Sequence, residues 1–106
     1  SAASDVYKRQ ALERLLYIES RLHKLEFHVQ EDKMKVYTIY ATLNNLEADL
    51  QDNDFVRIHQ SYLVNLKYIM SIERYQATLT DGTILIIPKA RYTYVKDKFI
   101  AYRGEV

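Results

Sequence analysis

The chain contains no cysteine, which removes disulfide staples, thiolate zinc sites and cysteine nucleophiles together. Glycine and proline are scarce, at two residues and one. With 48% hydrophobic and 27% charged residues, that scarcity describes a packed globular chain and excludes a disordered tail. No apolar run approaches the length of a bilayer span, and no charged-then-apolar segment opens the chain. A soluble, cytoplasmic protein with no membrane partner is expected. At 106 residues one core is affordable and two are not.

A large excess of charge of one sign is also missing. The net charge is +1, whereas nucleic-acid-binding domains usually carry a clear basic surplus. The distribution says more than the sum. From Ser1 to Phe55 seven Lys/Arg face ten Asp/Glu, from Val56 to Lys98 seven face three, and the tail is balanced. The later half is locally basic, which by itself is equally the scatter of a solvated surface.

The opening residues Asp5-Val6-Tyr7-Lys8-Arg9-Gln10 resemble the translation of a sequencing adapter. Residues 1–10 are therefore set apart as non-native read-through or, on the other reading, a charged linker, and residues 11–106 are taken as the domain. Leu15 to Ile18 is a compact apolar run. Leu25, Phe27 and Val29 alternate with Glu26, His28 and Gln30, the period of a strand with one wet face. The polar stretch Glu19 to Lys24 between them is expected to be a loop. Lys35 to Tyr40, rich in Val, Tyr, Ile and Thr, suits a third strand. Thr42 is placed to cap a short helix with Leu43, Leu46 and Leu50 along one face.

Phe55 to Ile58, Tyr62 to Leu66 and Tyr68 to Tyr75 are three more strand candidates. Ala77 to Thr80 and Thr83 to Ile87 flank Asp81-Gly82, which predicts a hairpin with a two-residue turn. Pro88 ends that strand for want of an amide hydrogen. Beyond it Tyr92, Val95, Phe99 and Tyr102 recur at helical spacing and predict a C-terminal helix.

Nothing organises an active site. His23, His28 and His59 form no His-x-x-x-His pair, and there is no Gly-rich phosphate loop or Gly-x-Ser-x-Gly turn. Neither an enzyme nor a cofactor is expected. The informative stretch runs from Asp54 to Ile69, where two apolar runs bracket the polar triplet His59-Gln60-Ser61. On spacing alone the triplet is either a strand-loop-strand edge displaying hydrogen-bonding groups or an ordinary turn.

The string Phe55, Arg57, His59, Ser61, Tyr62, Val64 and Asn65 resembles the central signature of LytTR DNA-binding domains, the output domains of bacterial response regulators. The resemblance continues through Leu15-Leu16-Tyr17-Ile18-Glu19, through Tyr68-Ile69 on to Ile72, and through Asp81-Gly82 followed by Ile87-Pro88-Lys89-Ala90-Arg91-Tyr92. It covers nearly everything from Leu12 to the end.

That resemblance implies a mainly β fold: a stack of small antiparallel sheets with one short central helix and a C-terminal helix. It further implies loops that enter successive major grooves of double-stranded DNA. The first would be Ser20 to Lys24 with His23 or Lys24 at its tip, the second His59-Gln60-Ser61, and the third the loop holding Lys89 and Arg91. Arg pairs with guanine and Gln with adenine through bidentate hydrogen bonds, so Gln60 and Arg91 are the expected base readers, with His23 and Lys24 beside them. Ser61, Lys67, Lys89 and Arg57 are the expected phosphate contacts, Arg57 with the alternative of an inward carboxylate partner. His59 and Asn65 are expected to be structural. Lys89-Ala90 stands where many relatives place a small hydroxyl residue before the arginine.

The resemblance also implies an upstream receiver domain, phosphorylation by a sensor kinase, and pairing of two subunits on tandem DNA sites. The rival reading is a β-rich protein-interaction module whose tyrosine-rich strands offer an adhesive edge.

Overall fold

The computed structural model describes residues 10–104; the segment 1–10 set apart above thus lies, save for residue 10, outside the described residues. A helical turn over residues 10–13 leads into β1 (Leu15–Arg21), β2 (Lys24–Gln30) and β3 (Met34–Ile39). Then come helix α1 (Leu43–Leu50) and a 3-10 turn (Gln51–Asn53), followed by β4 (Phe55–His59) and β5 (Tyr62–Asn65). A second 3-10 turn (Leu66–Tyr68) leads to β6 (Ile69–Glu73), β7 (Gln76–Leu79), β8 (Ile84–Ile86) and helix α2 (Lys89–Arg103). The strands form a five-stranded sheet in the order β3-β2-β1-β5-β4 and a three-stranded sheet in the order β6-β7-β8, with antiparallel pairing throughout.

The larger sheet is covered on both faces, which is why β1 reads as an unbroken apolar run. Leu15, Ile18, Leu25, Phe55 and Leu63 pack with Leu43 and Leu50 of α1 on one face. Leu16, Tyr17, Val56, Ile58 and Val64 pack on the other with the small sheet and with Val95 and Phe99 of α2. Strict alternation would send Leu15 and Tyr17 to the same face. A bulge between them breaks the register and lets neighbours Leu16 and Tyr17 share a face.

Thr42 caps α1 as its sequence position predicts, accepting from the Asn45 amide at 3.3 Å. Other expectations are corrected. The polar stretch Glu19 to Lys24 is mostly strand, because β1 continues to Arg21 and β2 begins at Lys24. The reversal is carried by Leu22 and His23, at φ 51° and 65°, the positive pair of a type I′ hairpin turn. The expected strand Tyr68 to Tyr75 is a 3-10 turn and then β6, ending in a second such pair, Arg74 and Tyr75, at φ 53° and 62°.

The Asp81-Gly82 hairpin is present, but its loop has three residues. Leu79 faces Thr83, donating to its carbonyl at 2.8 Å, and Gly82 at φ 91° donates back to Leu79. This is the arrangement in which a left-handed glycine closes a type I turn. Asp81 accepts from both the amide and the hydroxyl of Thr83, which stiffens the loop.

Candidate nucleic-acid interface

One edge of the larger sheet is β4, and its last residues are bent by a bulge between Arg57 and His59. A bulge increases local twist and re-aims the side chains beyond it. Gln60 and Ser61 then turn the chain into β5. Neither has the positive φ of a primed hairpin turn, so the turn is held by side chains. Arg57 donates through Nε to the His59 carbonyl at 2.9 Å and through a terminal nitrogen to the Gln60 carbonyl. The His59 ring accepts the Ser61 amide on Nδ1 at 2.9 Å and lies against Tyr62.

The other terminal nitrogen of Arg57 meets α1, donating to Asn44 Oδ1 at 2.9 Å and Glu47 Oε1 at 3.0 Å. The Arg57 side chain is only 13% exposed, which places this ion pair where solvent screens it less than a surface pair. Charged hydrogen bonds of this kind fix geometry as well as adding energy. Arg57 is therefore committed inward, and its relation to the turn is that of a brace.

Arg91 was expected in a loop with Lys89. Both stand instead in the first turn of α2, because Pro88, with its ring-fixed φ of −59°, opens directly into the helix. One guanidinium nitrogen of Arg91 donates to the Arg57 carbonyl at 2.7 Å. β4 is an edge strand, so this bond serves a carbonyl that no neighbouring strand pairs. The Arg91 guanidinium also lies 4.5 Å from the centre of the Tyr94 ring. Lys89 is exposed at the amide end of the helix, where free N–H groups favour anions.

The first turn joins the same place. The Ser20 amide donates to the Ser61 carbonyl at 2.9 Å, coupling the base of one turn to the other. A polar hollow of about 410 Å³ is lined by Ser20, His23, Arg57, Gln60 and Ser61, together with residues 41–44 leading into α1. His23 thus faces the hollow, whereas Lys24 has its Nζ 5.5 Å from the centre of the Tyr40 ring. Asn44 and Glu47, which sequence reasoning missed, are one helical turn apart beside the apolar stripe of α1. Only that i, i+3 spacing hinted that they share a neighbour.

Lys67 is not brought to this end. It follows the far end of β5, beside Glu13, Asp52 and Asp54, donates to the Glu13 carbonyl at 3.4 Å and lies over Tyr68. Its turn is organised by buried Asn65, which donates to the carbonyls of Leu15 and Leu12 at 2.9 and 3.3 Å and accepts the Lys67 amide at 3.0 Å.

The arrangement is that of a β domain presenting two turns around one polar hollow, with Arg91 at the start of α2 tied to the Arg57 carbonyl. Residues 6–100 match the family described as the LytTr DNA-binding domain, and the chain belongs to that family. Over 66 residues, 58% of this chain and 26% of the relative, it is 39% identical to the sensory transduction protein LytT of Bacillus subtilis. Over 36 residues, 34% of this chain and 16% of the relative, it is 42% identical to the transcriptional regulatory protein NatR of the same organism. The matched regions span about a quarter and a sixth of those two proteins. Its fold is similar to a solved LytTr DNA-binding domain of a putative methyl-accepting/DNA response regulator from Bacillus cereus. The TM-score is 0.68 at 20% identity, covering 83% of this chain and 82% of that one. Among the described residues, no helix is long and apolar enough to cross a membrane.

Proposed function

We propose that this DNA-binding domain recognises promoter DNA by sequence, as the output unit of a two-component transcriptional regulator, with residues 11–106 as the binding unit. The observation that carries the reading is the gathering of His23, Gln60 and Ser61 around one hollow braced by Arg57, whose carbonyl anchors Arg91. Gln60 and Arg91 read bases and His23 approaches a neighbouring groove edge, with Lys24 beside it. Ser61 and Lys89 hold phosphates, contacts that set register without reading sequence. Arg57 acts through the Gln60 turn. Lys67, in its acidic surroundings, is left out of the interface.

In the whole protein, an upstream receiver phosphorylated by a sensor kinase would pair two such domains on tandem sites, where linkage raises effective concentration. The names of the two relatives, a sensory transduction protein and a transcriptional regulatory protein, support that setting. In that setting the domain's role is non-enzymatic and cytoplasmic. The second reading, a protein-interaction surface, draws on the exposed Val36, Tyr37 and Ile39 of edge strand β3.

Fluorescence anisotropy on the promoter fragment and on a scrambled duplex, across a salt series, separates the two. DNA binding weakens steeply with salt through counterion release, and an apolar protein contact does not. Arg91→Ala is expected to cost about 1–3 kcal/mol on the preferred site and to narrow the gap between the two DNAs. Equal affinity of the unmodified domain for both duplexes would refute sequence recognition.

A further inference from the structure

On the sheet face opposite α1, β1 and β2 place Glu19 directly across from Glu26. Like charges at such a cross-strand pair repel. Next to them His28 pairs with Tyr17 across the same two strands and stacks on its ring at 4.1 Å, within 9° of parallel. The imidazole is thereby fixed in plane and direction. Its Nε2 is buried, has no hydrogen-bond partner, and stands 3.8 Å from Glu26 Oε1, too far for a hydrogen bond. One ligand atom each from Glu19, Glu26 and His28 lies within 4.8 Å of the others.

A buried nitrogen without a partner beside two facing carboxylates costs free energy unless a hydrogen-bond partner or a cation meets it. Asp81 adds to the negative field felt by both Tyr17 and His28. Burial, the largest influence on His28, holds its pKa below the ordinary value in spite of those carboxylates. The Tyr17 hydroxyl beside it is pushed up to about 12, first by burial and then by Glu19 and Asp81.

We propose that Glu19, Glu26 and His28 form a site for one divalent transition-metal ion. Imidazole with carboxylates suits zinc, cobalt or nickel, whereas magnesium prefers an all-oxygen shell. Around a tetrahedral zinc at about 2.1 Å, ligand atoms stand about 3.4 Å apart. On binding, the present spacing of up to 4.8 Å would have to close to that value. The fourth position would take water. The bound ion would clamp β1 to β2 close to the Leu22-His23 turn and cancel the repulsion between the two glutamates.

The test is calorimetric titration of this chain with zinc in a non-chelating buffer, without DNA, alongside thermal melts and the visible spectrum of the cobalt-loaded protein. Because no DNA is present, the result is independent of the DNA-reading proposal. One equivalent of zinc is expected to bind and to raise Tm, and magnesium is expected to do neither. Glu26→Gln and Glu19→Gln relieve repulsion, so each should fold at least as well without metal and bind zinc at least tenfold more weakly. His23→Ala and His59→Ala, which alter the other two histidines, should bind as the unmodified chain does. The site is overturned if no stoichiometric binding occurs, if binding survives both glutamine variants, or if it depends on His23 or His59.

Discussion

At the leading end of β5 the chain turns through Gln60 and Ser61; at the trailing end it turns through Leu66 and Lys67. Both carry a nearby cation, and both adjoin a strand of the same sheet. They differ in which residue satisfies the backbone. At the trailing end Asn65 turns its amide inward and serves Leu12, Leu15 and Lys67, leaving Lys67 beside acidic neighbours. At the leading end Arg57 serves the carbonyls of His59 and Gln60 from the strand, and the Gln60 side chain is left exposed. The two ends thus differ in their surroundings: Lys67, though also exposed, is set among acidic residues, whereas Gln60 stands beside Arg57 and Ser61.

The largest effect is expected at the tied turn. Asn65→Ala leaves buried backbone groups without partners and should lower stability by about 3 kcal/mol in urea denaturation. The preference for promoter over scrambled DNA should survive in the protein that remains folded. A loss of preference at full stability would erase the distinction between the two ends.

Arg57→Ala should cost about 2 kcal/mol of stability and also weaken binding to the preferred site, because the Gln60 turn loses its brace. If binding falls without any loss of stability, Arg57 contacts DNA itself. Gln60→Ala is the complementary case: a stability change within about 0.5 kcal/mol and a loss of about 1–3 kcal/mol on the preferred duplex alone. An equal loss on both duplexes would make Gln60 a general anchor.

The smallest effect sharpens the comparison between lysines. Lys89→Ala should reduce the slope of log affinity against log salt by about 1, the signature of one lost phosphate contact. Lys67→Ala should leave the slope as it is. A reduced slope for Lys67→Ala would bring the acidic end into the interface.

Much of the fold was legible locally. The alternation of Leu25, Phe27 and Val29, the Thr42 cap with its leucine stripe, and the spacing of Val95 and Phe99 each reflect a period that a short segment carries by itself. The two positive-φ turns were not legible, because Leu22-His23 and Arg74-Tyr75 contain none of the Gly, Asn or Asp residues that favour such angles. Their conformations are imposed by the pairing of the strands on either side. The extra residue in the Asp81-Gly82 loop was hidden for a related reason: the same dipeptide serves both a two-residue turn and a glycine-closed three-residue loop.

For the candidate interface, the ordered signature from Phe55 to Asn65 determined the family, and it marked His59-Gln60-Ser61 as a polar tip between strands. What became of each of these side chains was decided by tertiary structure alone. Arg57 meets Glu47 across ten residues, Arg91 meets the Arg57 carbonyl across thirty-four, and Asn65 meets Leu15 across fifty. Local sequence sets which face of a strand a side chain occupies. Whether that side chain is then consumed by an internal acceptor or left at the surface depends on what the fold brings opposite it, since a hydrogen bond forms only within a few tenths of an ångström and a narrow range of angles.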